Sequence, residues 1–94
     1  MIQSFKGADA EKLFNRERVK RVPPDVQRRA YRKLRQIHNS TSLPDLKVPP
    51  GNRLEALSGN RSGQYSIRVN QQWRICFRWD AGHAYDVEIV DYHR

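Results

Sequence analysis

Ninety-four residues carrying 18 Lys and Arg against 10 Asp and Glu, a net charge of +8 and a pI near 10.3, suffice for one domain with one modest core. The single cysteine, Cys76, excludes an intrachain disulfide and a Cys-based metal cluster. No apolar run at the N-terminus suits a signal peptide or a membrane span, so a reducing cytoplasm is the expected setting and a membrane is not an expected partner. The charge is uneven: residues 1–39 hold 11 basic and 4 acidic side chains, and residues 40–94 hold 7 and 6. Such a cluster suits a polyanionic partner or an acidic protein cover, although a solvated basic surface needs neither.

In chain order, Ile2 and Phe5 among polar neighbours predict a short edge strand over Met1–Phe5, broken by Gly7. Asp9 is the expected N-cap of a short helix reaching about Arg16 and burying Ala10, Leu13 and Phe14. Asn15–Arg21 is mostly charged, with Val19 and Val22 as its anchors. Pro23-Pro24 resets the backbone where a proline costs no helical hydrogen bond. From Pro24 to His38, Val26, Ala30, Leu34 and Ile37 recur at helical spacing, with Tyr31 at the edge of the stripe. The outer face of this helix carries Arg28, Arg29, Arg32, Lys33 and Arg35, cations that repel one another unless water or an anionic partner separates them.

Asn39–Asn52 contains Pro44, Pro49, Pro50 and Gly51 and predicts an irregular loop tacked to the core by Leu43, Leu46 and Val48. Apolar positions return at Leu54 and Leu57, a polar turn follows over Gly59–Gly63, and then the clearest pattern in the chain begins. In Gln64–Trp79, Tyr65, Ile67 and Val69 share one face, as do Trp73, Ile75, Phe77 and Trp79, across the link Asn70-Gln71-Gln72. That alternation predicts an antiparallel hairpin with one buried face. Its opposite face carries Ser66, Arg68, Arg74, Cys76 and Arg78, where solvation alone would not require three guanidinium groups. Asp80-Ala81-Gly82 makes a turn, and a last strand over Ala84–Tyr92 buries Val87 and Ile89 or their neighbours. The expected class is α+β: two N-terminal helices on a small, mainly antiparallel sheet of about four to five strands, in one domain over residues 1–94.

No zinc spacing, phosphate-binding loop, dinucleotide fingerprint or nucleophile elbow is present, and no metal or cofactor is expected. His93 and Asp91 lie two residues apart, hence on one face if the strand continues, and Tyr92 then points the other way. An imidazole there can give or take a proton at neutral pH, and Asp91 can orient it. His38 and His83, at a helix end and a turn, read as surface residues. If the polyanion is RNA, cleavage without metal needs a group to deprotonate the 2′-hydroxyl, a cation for the phosphorane charge and an acid for the leaving 5′-oxygen. Glu55 or Asp91, Arg74 with Arg68, and His93 supply those groups.

Four stretches together resemble the HigB toxins of the RelE-like superfamily, the toxin halves of bacterial type II toxin–antitoxin pairs. They are Met1–Phe5, Arg53–Arg61, the hairpin Tyr65–Val69 with Trp73–Ile75, and Val90–His93. Pro49–Leu57, Pro-Pro-Gly-Asn-Arg-Leu-Glu-Ala-Leu, is similar to the GraT-like branch. The resemblance implies a microbial-ribonuclease-like fold, ribosome-dependent mRNA cleavage, and neutralisation by a helix-turn-helix antitoxin of the HigA type. It also implies that Arg74 stabilises the transition state and that Asp91, Tyr92 and His93 form the terminal catalytic group. Glu55 stands where one HigB pattern has a His, and Ser58 where it has a Lys, which replaces a base by a carboxylate, removes a phosphate contact and implies a mild toxin. Arg28, Arg32, Arg35, Arg53, Arg61, Arg68 and Arg78 are the arginines expected to meet RNA on the ribosome. Two other classes fit the same scaffold: a gyrase-poisoning toxin of the ParE branch, which generally lacks the terminal Asp-Tyr-His, and a basic binding module without chemistry.

Overall fold

The structure, a computed structural model, describes residues 1–92. Two helices, α1 (Ala8–Phe14) and α2 (Pro24–Asn39), precede four strands: β1 (Glu55–Ala56), β2 (Gln64–Arg68), β3 (Trp73–Asp80) and β4 (His83–Asp91). The strands form an antiparallel meander in the order β1-β2-β3-β4. The N-terminal residues run alongside β4 through two isolated parallel bridges, Ile2 with Ala84 and Phe5 with Val87. They cover its outer edge without forming a continuous strand.

The apolar stripe of α2 folds as its spacing requires: Val26, Ala30, Leu34 and Ile37 are all buried. They pack with Ile67, Ile75, Phe77 and Val87 from one face of the sheet. Leu13 of α1 and both anchors of the charged connection, Val19 and Val22, join the same core. The first helix starts differently from expectation. Gly7, at φ 79°, precedes it without a side-chain cap, and Asp9 sits in its first turn, where it pairs with Arg21 at 2.5 Å. A carboxylate in the first turn still complements the helix dipole.

The proline-rich connection is more ordered than its composition predicts. Short 3-10 turns occupy Leu43–Lys47 and Pro50–Asn52, the first begun by a reciprocal pair of bonds between Ser42 and Asp45. Leu46 is fully buried and Leu43 packs against the core, but the Val48 side chain is 66% exposed and only its carbonyl takes part, accepting from Gln36 and Asn52. The residue that does tie this loop down is Asn52, at 0% exposure.

The hairpin pairs Tyr65 with Phe77 and Ile67 with Ile75 on the face the alternation marks as buried. Its second face is not open to water: Ser66 and Cys76 are also at 0% exposure. Polar side chains close that face, because Arg74 bonds Ser66 and the Tyr92 hydroxyl lies 3.7 Å from the Cys76 sulfur. In β4 a bulge shifts the register between Cys76 and Arg78, with Asp86 at φ 51°. One extra residue reverses the alternation. Ala84 and Val87 therefore both reach the core, and Glu88, Val90 and Tyr92 take the opposite side.

His38 is not a free surface residue. It is half-buried, its Nδ1 accepts the Ile2 backbone N–H at 3.2 Å, and its ring packs 5.2 Å from Phe14. Burial first, then Arg35 and the amino-terminal ammonium, hold its pKa below the ordinary value. Protonation is therefore harder in the folded chain than in the unfolded one. Below the ordinary histidine pKa of about 6.5 the unfolded chain takes up the proton first, and stability falls as the pH drops. Replacing His38 by Asn keeps an acceptor near Ile2 and removes the titration. The thermal midpoint of wild type should therefore drop more than that of His38→Asn between about pH 7.5 and about pH 5.5. Equal drops would show that His38 carries none of the acid sensitivity.

Candidate functional site

A cleft of about 1090 Å³ opens on the polar face of the hairpin, between the segment from Arg53 to Ser58 and the β2–β3 link. Arg53, Glu55, Ser58, Arg68, Gln72, Arg74 and Tyr92 are among the residues that line it. Arg74 is the most constrained of these. Its Nε donates to Ser66 Oγ at 2.8 Å, and its Nη2 donates to the Arg53 carbonyl at 2.8 Å. The same Nη2 lies 3.0 Å from the Glu55 carboxylate, and the Arg74 side chain is only 11% exposed. Among the described residues Nη1 has no hydrogen-bond partner, so one edge of a pre-aligned guanidinium is left for a ligand. Planar forks of this kind suit phosphate oxygens.

Arg68 faces Arg74 directly across the β2–β3 ladder. Like charges in that position repel. Glu55, paired opposite Ser66 on the edge strand, supplies one counter-charge, and an anion in the cleft would supply another. Arg68 is steadied by a 3.0 Å bond from its Nε to the Asn70 carbonyl. It also lines a second, smaller groove of about 320 Å³ with Arg29, Arg32 and Lys33 of α2, so it joins the cleft to the cations of the helix.

Tyr92 stands in the cleft, not turned away from it. The ladder pairs Asp91 with Trp73, a core residue, which places the next residue on the Arg74 side. The Tyr92 ring centroid lies 5.8 Å from the Arg74 guanidinium, and its backbone N–H donates to the Gln72 carbonyl at 2.6 Å. Burial first, then the bond to Cys76, raises the phenol pKa, so Tyr92 is a neutral donor at physiological pH. Burial likewise raises the Cys76 thiol, which makes it a packing residue and not a nucleophile. Asp91 sits at the rim, accepting from Gln72 Nε2 at 3.2 Å. His93 lies outside the described residues.

The remaining arginines are dispersed. Arg61 bonds Glu88 at 2.7 Å and Gln64 at 3.1 Å, and Arg78 lies 3.5 Å from Asp86 near the bulge. Neither lines the cleft. Arg28 and Arg32 flank a hollow of about 400 Å³ beside Tyr31, and Arg35 lies over the Phe14 ring at 5.3 Å. Sequence reasoning missed Ser66 and Asn52 as site-building residues. Ser66 carries a usable signal, a lone hydroxyl between arginines on one face, whereas Asn52 sits in a Pro-Gly-Asn turn and carries none. Among the described residues there is no group of three or more metal-binding side chains, and no helix is long and apolar enough to cross a membrane.

Comparison with known proteins follows the same lines. Residues 3–93 match the family described as the RelE-like toxin of type II toxin–antitoxin system HigB. Toxin HigB-1 of Vibrio cholerae serotype O1 is 36% identical over 95 residues, covering 100% of this chain and 99% of the relative. Endoribonuclease HigB of Proteus vulgaris is 34% identical over 93 residues, covering 99% and 100%. Among solved structures, YafQ from E. coli strain BL21(DE3) superposes with a TM-score of 0.60 at 14% identity, covering 97% of this chain and 91% of that one. The YoeB–YefM complex from Staphylococcus aureus gives 0.60 at 17%, covering 100% and 99%, and these two likenesses bear on the fold alone. Two helices on a four-stranded antiparallel meander, a family match over nearly the whole length and two full-length relatives place this chain among the HigB toxins, RelE-like members of type II toxin–antitoxin systems.

Proposed function

We propose that the chain is an endoribonuclease that arrests translation by cutting mRNA on the ribosome without a metal ion, and that a HigA-type helix-turn-helix antitoxin neutralises it. The observation that carries this reading is Arg74, held by three protein acceptors at the floor of a cleft and facing Arg68 across the ladder. The endoribonuclease name of the Proteus vulgaris relative supports it. In the proposed reaction a base removes the proton of a 2′-hydroxyl, whose oxygen attacks the adjacent phosphorus. The bond to the 5′-oxygen breaks as an acid protonates it, leaving a 2′,3′-cyclic phosphate and a free 5′-hydroxyl. Arg74, through its open edge, and Arg68 hold the extra negative charge on the phosphorane. His93 moves the protons, and Asp91, at the rim on the Trp73 side, orients its imidazole. Tyr92, a neutral phenol beside Arg74, offers its ring for base stacking and its hydroxyl for a phosphate oxygen. Glu55, 3.0 Å from Arg74, braces the guanidinium. The basic face of α2 (Arg28, Arg32, Arg35) docks on ribosomal RNA in the cytoplasm, and Arg53, Arg61 and Arg78 add sequence-independent phosphate contacts.

Arg74→Ala and His93→Ala should each lower mRNA cleavage on programmed ribosomes by about 10²–10³-fold while leaving the protein folded. Full cleavage by a folded variant would remove that residue from the mechanism, and full toxicity in both folded variants would favour gyrase poisoning or binding without chemistry. Glu55→Gln preserves shape and hydrogen bonding but not basicity, so it should retain most of the cleavage, and Glu55→Ala should lose more. A single-turnover loss in Glu55→Gln as deep as that of His93→Ala would instead make Glu55 the general base. Reversing Arg28, Arg32 and Arg35 to Glu should weaken ribosome binding. Wild-type binding should fall steeply as salt rises, because phosphate contacts release counterions. Salt-independent binding would return that helix face to solvent or to the antitoxin.

A further inference from the structure

Asn52 lies outside the cleft, yet it is the most heavily bonded buried polar side chain near it. Its Nδ2 donates to the Leu46 carbonyl at 3.1 Å, the Gln36 Oε1 at 3.1 Å and the Val48 carbonyl at 3.3 Å. Its Oδ1 accepts from Lys33 Nζ. These partners fix the amide orientation, since an ammonium only donates and a backbone carbonyl only accepts. Lys33 and Gln36 lie three residues apart on α2, so they meet Asn52 from one side of the helix. Lys33 gives up hydration to do so, and burial, with Arg29 second, lowers its pKa. A loop needing only packing at this point would be served by an apolar side chain. A fully bonded amide there specifies one geometry.

The geometry it specifies is that of the next residue. Asn52 ends the Pro50–Asn52 turn, and Arg53 follows at φ 45°, ψ 55°, a left-handed conformation that a side chain with a Cβ rarely adopts. The Asn52 N–H donates to the Pro49 carbonyl at 2.9 Å and the Arg53 N–H to the Pro50 carbonyl at 3.1 Å, which closes the turn. In that conformation the Arg53 carbonyl accepts from Arg74 Nη2 at 2.8 Å. A chain released from α2 at Asn52 would return Arg53 to an ordinary backbone region and swing that carbonyl away. Arg74 would then keep Ser66 and Glu55 but lose the acceptor that sets the angle of its fork.

We propose that Asn52 is a positioning residue for RNA cleavage, locking the Arg53 turn to α2 so that the Arg53 carbonyl aligns Arg74 with the scissile phosphate. The proposal rests on the ribonuclease reading and adds to it a residue that touches neither substrate nor reacting atoms. Asn52→Ala removes every side-chain bond, whereas Asn52→Asp keeps the acceptor for Lys33 and loses the donors to Leu46 and Val48. Each variant is assayed by single-turnover cleavage on programmed ribosomes, at a temperature where its own melting curve shows it folded. Both should cut roughly ten- to a hundredfold more slowly than wild type, with ribosome binding unchanged, as expected when a reacting group is misaligned from a distance. Adding Asn52→Ala to Arg74→Lys, which has already lost the planar fork, should cost little more, because the two changes act on one interaction. Wild-type rates in the folded Asn52 variants, or losses that multiply in full in the double variant, overturn the proposal. Wild-type protein that leaves ribosome-bound mRNA intact overturns the ribonuclease reading itself, and this proposal with it.

Discussion

A cation that is nearly out of water needs its hydrogen bonds supplied by the protein, and that requirement at Arg74 organises the functional half of this molecule. Removing a guanidinium from water costs several kcal/mol unless its donors find acceptors. Here the acceptors come from three separate elements: Ser66 on β2, Glu55 on β1 and the Arg53 carbonyl in the turn before β1. None is adjacent to Arg74 in the chain. The edge strand is only two residues long, and its contribution to the sheet is modest beside its role of bringing a carboxylate to this arginine.

The core explains why the arrangement can hold. Ile67, Ile75 and Phe77 are fully buried on the other side of the same two strands, so the backbone that carries Ser66, Arg68 and Arg74 is anchored from beneath. Close packing of this kind transmits little slack. The cross-strand repulsion of Arg68 and Arg74 is tolerated in a frame that hydrophobic burial stabilises independently. Such a frame favours an anion arriving in the cleft over any rearrangement of the sheet.

Charge is distributed by function more than by number. Arg61, Arg78 and Arg21 each lie beside a carboxylate, Glu88, Asp86 and Asp9, while Arg28, Arg29, Arg32, Lys33 and Arg35 are gathered on α2. Arg68 belongs to both regions, since it lines the cleft and the groove shared with Arg29, Arg32 and Lys33. Arg68 thus joins the basic groove on α2 to the cleft, where the carboxylate of Glu55 sits against Arg74.

Local periodicity was enough to place α2 with its buried stripe, the hairpin with its buried face, the Asp80–Gly82 turn and the arginines on the hairpin's polar face. Each of these depends on residues a few positions apart, which is the range over which helical and strand spacing act. The resemblance of Arg53–Arg61 and Val90–His93 to the HigB toxins pointed to the family for the same reason, through short contiguous stretches. What lay beyond that range was decided only by the tertiary structure. The bulge at Asp86 reverses the alternation of β4 and so turns Tyr92 into the cleft and Asp91 toward the Trp73 side. The Val48 side chain is left in solvent while Asn52, whose burial no spacing marks, is drawn to 0% exposure by partners on α2. Register shifts and buried polar networks are settled by pairing between distant segments, and no spacing along the chain encodes them.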